Sequence, residues 1–251
     1  MAQPYLSIIV PAYNEAERIP KTLVAMDKAL ESAEYSYEIL VVNDGSKDGT
    51  ADAVRNMVPL IKNLKLIDAK VNLGKGGAVR QGMLLASGNV RLFTDADNST
   101  SIDHFNAMMP LFKQGADVVI GSRAIRGATL DPPEPLFRRI AGKGLNLAVQ
   151  ALLIPGIWDT QCGFKAFTAE AAENIFKYVT INGWGFDVEV LSLARKMGYS
   201  IKEIPVHWVN DARSHVHMSA GLQFLRDIVK IRIRLWRGSY ETGRPLEAVH
   251  K

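Results

Sequence analysis

Residues 6–46 read LSIIVPAYNEAERIPKTLVAMDKALESAEYSYEILVVNDGS, and this stretch decides the fold. Leu6 to Val10 is a short β-rich apolar run ended by Pro11. From Ala16 to Ser32 the spacing of Ile19, Leu23, Met26 and Leu30 is helical. Tyr37 to Val42 is a second apolar run, closed by the turn sequence Asn43-Asp44-Gly45-Ser46. Strand, helix and strand therefore follow one another with polar residues after each strand. Outward from this unit the pattern repeats, with an amphipathic segment at Thr50 to Met57, a strand at Leu64 to Asp68 and a helix at Gly76 to Ser87. Further strands are expected at Val90 to Thr94 and Asp117 to Gly121. Strands rich in Val, Ile and Leu, separated by helices, predict an α/β fold, a mainly parallel sheet with helices on both faces.

Beyond that the regularity loosens. Gly127 to Pro135, GATLDPPEP, reads as a long mobile loop. Helices are expected at Leu136 to Leu153, Ala169 to Tyr178 and Asp187 to Met197, strands at Cys162 to Thr168 and Ile201 to Trp208, and a tail helix at Ser219 to Arg237. The organisation expected is one α/β domain over residues 1–218, followed by a basic amphipathic helix and tail over 219–251.

The 251 residues, 47% apolar and 22% charged, suffice for a substantial core and exclude collagen, coiled coil and disorder. The net charge of +4 is unevenly placed. From Pro205 to Lys251 eight basic residues face four acidic ones, which leaves residues 1–204 balanced at 22 of each sign. The single cysteine, Cys162, forms no intramolecular disulfide, and zinc-type ligand spacings are missing, which favours a reducing compartment. Cys162 itself reads as a small packed residue. The N-terminal MAQPYLSIIVP lacks a basic region before a long apolar run, so no signal peptide is expected. Leu145 to Trp158 is broken by Asn146, Gln150, Pro155 and Gly156, too short and polar to span a bilayer.

In parallel sheets ligands sit beyond the carboxyl ends of the strands, so the polar residues after each strand are the place to look. Asp95 and Asp97 end the Val90 to Thr94 strand in i, i+2 register and point the same way. Such a pair suits a hard divalent cation whose shell is completed by water and phosphate oxygens. A solvated acidic turn would look the same in isolation, but two other clusters share this rim. Tyr13 is placed to stack on a base and Asp44 to accept from a base N–H.

Seven ordered motifs, SIIVPAYNEAERIP, EILVVNDGSKDGT, NLGKGGAVRQG, TDADNST, VVIGSRA, DTQCGFK and GWGFDVEV, resemble those of glycosyltransferase family 2 over about Leu6 to Val216. Within that family the chain is most similar to the dolichyl-phosphate or polyprenyl-phosphate β-glucosyltransferases, with the dolichyl-phosphate mannose synthases next. The resemblance implies a GT-A (Rossmann-like) fold, a nucleotide-diphosphate sugar donor such as UDP-glucose, Mg²⁺ or Mn²⁺, and inversion at the anomeric carbon. Pro11, Tyr13 and Glu15 match the nucleoside-binding first loop, Asp44 the base-contacting carboxylate, and Asp95 and Asp97 the metal motif. Family members often carry a second acid where Asn43 stands. Ser99 replaces the Gln common in mannose synthases, which points toward glucosyl transfer.

Gly74, Gly76 and Gly77 read either as helix-start glycines or, with Lys75 beside them, as a lip on the donor side. Arg123 in the GSR motif lies near the phosphates in the resembling families, where its fork would meet phosphate oxygens; pairing with a structural carboxylate is the alternative. Asp159, Gln161 and Lys165, and Trp184, Asp187 and Glu189, match blocks close to the acceptor. Trp184 lines the sugar pocket or fills the core. Arg138, Arg139, Arg213 and His215 are candidates for the acceptor phosphate, although a Lys or Arg is common at the position of His215.

A lipid monophosphate acceptor is already anionic at neutral pH and needs no general base. A hydroxyl acceptor would need one, and Asp159 and Asp187 are the candidates. In the tail, Arg226, Lys230, Arg234 and Arg237 form a basic stripe and Leu222, Leu225, Val229, Ile233 and Trp236 an apolar one. That pattern suits an anionic membrane surface, packing on the body, or both. The expected enzyme is thus a peripheral one on the cytoplasmic face of a membrane, using polyprenyl or dolichyl phosphate. Alternatives are a same-fold transferase with a soluble or glycan hydroxyl acceptor and a non-catalytic nucleotide-sugar sensor. Nucleic acid is not expected as a partner, because the tail arginines alternate with aliphatic residues rather than base-stacking aromatics.

Overall fold

The two apolar runs of residues 6–46 become the central strands β1 (Leu6–Ala12) and β2 (Tyr37–Asp44), paired in parallel from Leu6 opposite Tyr37 to Ala12 opposite Asn43. In this computed structural model, which describes residues 3–132, 136–209 and 218–242, they belong to a seven-stranded sheet. Its other strands are β3 (Leu64–Ala69), β4 (Val90–Thr94), β5 (Val118–Ser122), β7 (Phe164–Thr168) and β8 (Ile201–Pro205), in the order β3-β2-β1-β4-β7-β5-β8. Only β7 runs against its neighbours β4 and β5. A separate pair joins β6 (Thr129–Asp131) to β9 (His207–Val209).

Helices cover both faces because the strands bury side chains on both. Ile8 and Val10 of β1 and Ile39 and Val41 of β2 pack with α1 (Ile19–Leu30), α2 (Thr50–Met57) and α4 (Phe105–Lys113). Ile9, Leu40, Val42 and Phe93 point the other way, to α3 (Lys75–Leu85), α6 (Ala169–Phe176), α7 (Phe186–Lys196) and α8 (Met218–Trp236). The period-two alternation of a strand thus divides an unbroken apolar run between two cores. The remaining helices are α5 (Leu136–Leu152) and the short α9 (Ser239–Thr242).

Four expectations change. β1 does not end at Pro11 but continues to Ala12; β4 pairs only with Leu6 to Ile9, so Pro11 has a single neighbouring strand, where a missing N–H is tolerated. The first helix begins at Ile19 rather than Ala16, since the preceding residues are spent in the turn after β1. The span expected as one strand at Ile201 to Trp208 is divided, Pro205 closing β8 and β9 leaving for the second sheet. Part of the presumed mobile loop is that sheet's other strand, β6.

Candidate active site

The winding of the sheet reverses beside β1. β2 and β3 lie on one side of it and β4 on the other, so the connections leaving β1 and β4 diverge and open a crevice. A cleft of about 520 Å³ lies there, lined by Pro11, Tyr13 and Glu15 after β1, Asp44 of β2, Lys75 at the head of α3, and Asp95 and Asp97 after β4.

The first two loops are one latched unit. Asn14 adopts φ 55°, its side-chain oxygen accepts from the Lys47 N–H at 2.9 Å, and its own N–H donates to the Ser46 hydroxyl at 2.9 Å. Asn tolerates this left-handed conformation better than most residues. The Glu15 N–H donates to the Thr50 hydroxyl, and the Glu15 carboxylate receives the Arg18 fork at 2.5 and 2.6 Å. Asp44 accepts from the Leu73 and Gly74 N–H groups, both at 2.8 Å. Burial raises its pKa, and those two bonds offset only part of the rise. The residue expected to meet a base therefore also pins the head of α3. Tyr13 is about half exposed at the cleft.

Asp95 forms an ion pair with Lys75, Nζ to Oδ1 2.6 Å, while Asp97 accepts from the Ser99 N–H at 2.9 Å. Burial would lower the Lys75 pKa, but Asp95, Asp187 and Asp97 together raise it, so the ammonium stays charged. It places a positive charge at the carboxylates that match the metal motif. Among the described residues no group of three or more His, Cys, Asp or Glu is arranged to hold a metal. The donor set is therefore two hard carboxylates at an open cleft. This fits a Mg²⁺ or Mn²⁺ shared with phosphate oxygens and water, and not an ion enclosed by protein.

Two glycines explain how closely these parts approach. A Cβ on Gly163 would fall 2.0 Å from Asp95 Oδ2, so DTQCGFK, expected near the acceptor, makes room for the Asp95 carboxylate. Gly74 has φ 88°, and a Cβ there would meet the Asn182 carbonyl at 2.6 Å. That carbonyl accepts from the Gly76 N–H at 2.8 Å, clamping the turn that presents Lys75.

Arg123 is bound to Asp159 by its backbone N–H at 2.9 Å and by Nε and one Nη at 2.7 and 2.9 Å, with Trp208 beside the guanidinium. Burial alone would raise the Asp159 carboxyl; the Arg123 bonds hold it below the usual range. Of the two alternatives for Arg123, the carboxylate partner is the one seen. Asp187 and Lys165 form a fully buried pair at 2.5 Å beneath the cleft, Lys165 also donating to the Cys162 carbonyl at 2.6 Å. Burial raises Asp187 against the pull of Lys165 and Lys75. Neither residue lines the cleft, and both candidate bases are held in ion pairs. Trp184 lines the cleft mouth, half exposed, with Lys75 Nζ 5.2 Å from its ring centre. Burial pushes the Cys162 thiol up to about 12, as fits a packed residue. Arg138 and Arg139 fall within α5, their side chains outside the described structure, and Arg213 and His215 lie outside the described residues.

Gln223, which no sequence motif points to, lines the cleft from α8. Phe224, Ile228 and Ile231 anchor this helix in the core, and Asp227 packs so tightly that a Cβ on Gly185 would fall 2.6 Å from its own. The opposite side exposes Leu222, Leu225, Val229, Ile233 and Trp236 beside Arg226, Lys230 and Arg237. Arg234 lies along the same side, beside the other basic residues, but its guanidinium also reaches the body. It turns to the Thr180 hydroxyl and to Glu189, 3.7 Å away, because that fully buried carboxylate draws a charge partner as well as the Thr180 and Ile181 N–H groups and the Tyr240 hydroxyl. No helix among the described residues is long and apolar enough to cross a membrane.

Comparison with known proteins bears on the family and the fold. The model for Glycosyl transferase family 2 matches residues 7–176. The dolichyl-phosphate beta-glucosyltransferase of Dictyostelium discoideum is 39% identical over 250 residues, spanning 94% of this chain and 76% of that protein. Among solved structures, mannosyl-3-phosphoglycerate synthase from Rubrobacter xylanophilus aligns with a TM-score of 0.70 at 17% identity, over 99% of this chain and 79% of that one. Glucosyl-3-phosphoglycerate synthase from Mycobacterium tuberculosis, in complex with Mn²⁺, uridine-diphosphate and phosphoglyceric acid, aligns at 0.65 and 17%, over 91% and 78%. At such identities the two structures speak for the fold alone, and with the sheet order they establish the expected GT-A architecture.

Proposed function

The chain belongs to glycosyltransferase family 2 and is a hexosyltransferase, and from that premise we propose that it moves glucose from UDP-glucose to a dolichyl or polyprenyl phosphate at a membrane surface. The observation that carries this reading is the single cleft that gathers Tyr13, Asp44, Lys75, Asp95, Asp97 and Trp184 at the switch point of the sheet. Tyr13 and Asp44 would receive the base, Lys75 the diphosphate, and Trp184 the sugar. Asp95 and Asp97 would hold Mg²⁺ or Mn²⁺, which when bound neutralises charge on the leaving diphosphate.

Acceptor chemistry follows from what the carboxylates are already doing. In the cleft Glu15 is bonded to Arg18, Asp44 to two backbone N–H groups, Asp95 to Lys75 and Asp97 to the Ser99 N–H. Asp159 and Asp187 are committed to Arg123 and Lys165. A hydroxyl acceptor would need one of these carboxylates to take its proton as well, whereas a phosphate monoester needs no base. The exposed apolar and basic side of α8 suits an anionic surface on which a lipid acceptor would be met, such as the cytoplasmic face of a membrane. In a screen of sugar donors with a short polyprenyl phosphate and Mn²⁺, UDP release is expected with UDP-glucose and only when the lipid is present. Asp97→Ala should lower turnover at least about a thousandfold with an unchanged melting temperature. Near-normal turnover in that variant would overturn the metal assignment, and transfer to water-soluble alcohols alone would overturn the lipid acceptor.

A further inference from the structure

Lys75 has its charge held by one direct ion pair, to Asp95, within the field of Asp187 and Asp97. It is the first residue of α3, where the helix macrodipole disfavours a cation. Its ammonium reaches away from the helix to Asp95 Oδ1 at 2.6 Å and lies over the faces of Trp184 and Phe186, 5.2 and 6.0 Å from their ring centres. The paired oxygen belongs to one of two carboxylates suited to a divalent ion, and the other, Asp97, has no cationic partner among the described ion pairs. With the ammonium in place the pair carries one net negative charge; without it, two. The ammonium at 2.6 Å shares the paired oxygen with any metal ion that would bind some 2.0–2.1 Å from it, and the two positive charges repel each other. The opposite oxygen, Oδ2, faces Gly163.

We infer that Lys75 is an exchangeable counter-cation of Asp95, which disfavours divalent ions in the cleft until a nucleoside diphosphate draws the ammonium away, so that metal and nucleotide bind as a coupled pair. This rests on the proposed metal role of Asp95 and Asp97 and adds to it a positioning role for Lys75. No bond is made or broken; one cation is exchanged for another at a carboxylate, and the ammonium passes to an anion in the same cleft. Coupling of this kind is reciprocal, so metal should tighten nucleotide binding by the same factor as nucleotide tightens metal binding.

The test is Mn²⁺ binding, read from the electron paramagnetic resonance signal of the free ion, for the whole chain with and without UDP. The wild-type protein should bind Mn²⁺ at least about tenfold more tightly when UDP is present. Lys75→Met should bind Mn²⁺ alone about tenfold more tightly than wild type and gain correspondingly less from UDP, keeping the part that the phosphate oxygens supply to the metal directly. Lys75→Arg, which keeps the charge, should resemble wild type. Lys75→Gln gives a second neutral side chain should the Met variant fail to fold, as judged by its melting curve. If wild type binds Mn²⁺ with UDP but neither neutral variant gains affinity for Mn²⁺ alone, the counter-cation role is overturned and the metal site stands. If wild type binds no Mn²⁺ with UDP, the metal assignment falls and this inference with it.

Discussion

Gly163 and Gly74 are both glycines against which another group is closely packed, but they should fail differently when a methyl is added. At Gly163 the obstacle is the carboxylate of Asp95, a side chain that has another rotamer to adopt. Gly163→Ala should therefore cost on the order of 1 kcal/mol of stability, yet lower turnover at least about tenfold, since the carboxylate leaves its place in the cleft. At Gly74 the obstacle is the backbone carbonyl of Asn182, and φ is 88°, so there is no cheap escape. Gly74→Ala should cost about 2–3 kcal/mol, seen as a lower denaturation midpoint, and should weaken UDP binding because Asp44 and Lys75 are both fixed through this turn. A Gly163→Ala variant with full activity would separate Asp95 from the reaction. The sequence shows these glycines beside chemically suggestive neighbours, but not what presses on them.

Helix α8 carries two apolar stripes, and they should respond oppositely to substitution. Ile228 and Ile231 are buried against the core, so Ala at either should destabilise by about 2–5 kcal/mol. Val229 and Ile233 are about half exposed. Glu at both should leave stability within about 0.5 kcal/mol while reducing flotation with anionic vesicles at least about tenfold. Salt should weaken the wild-type interaction, as the exposed Arg226, Lys230 and Arg237 would contribute through charge. Unchanged flotation of the double variant would assign the exposed stripe another role. The repeat of apolar residues along this helix is legible in the sequence, but one helix does not reveal which of its stripes the body covers. Nor does it reveal that Gln223, at the edge between them, reaches the cleft. That depends on the Gly183 to Gly185 turn, whose missing side chains let the helix approach.

Across the whole molecule, the end of the sheet remote from the cleft is tied by one buried carboxylate. Glu38 of β2 accepts from Ser7 of β1, from both the N–H and the hydroxyl of Ser87 ahead of β4, and from Lys65 of β3. Burial would raise its pKa, but these four donors hold it at about 2 against an ordinary 4.5. Because the folded value lies below the unfolded one, its contribution is complete above about pH 4.5 and is lost as the pH falls toward 2, on the order of 2 kcal/mol after screening at the exposed Lys65. Thermal melts should show Glu38→Gln less stable at neutral pH and less sensitive to acid than wild type; parallel losses would exclude Glu38 as the cause. The alternation of apolar runs with helical spacings determined, by itself, the parallel sheet and the two-sided core, because periodicity is a local property that burial on both faces makes continuous. It likewise located Tyr13, Asp44, Asp95 and Asp97, since ligands gather where strands end. Only the tertiary structure decided which charges are paired with one another. Arg123 meets Asp159 and Lys165 meets Asp187 across 36 and 22 residues of chain, and Lys75 meets Asp95, distances in sequence over which no local pattern acts and at which packing alone selects the partner.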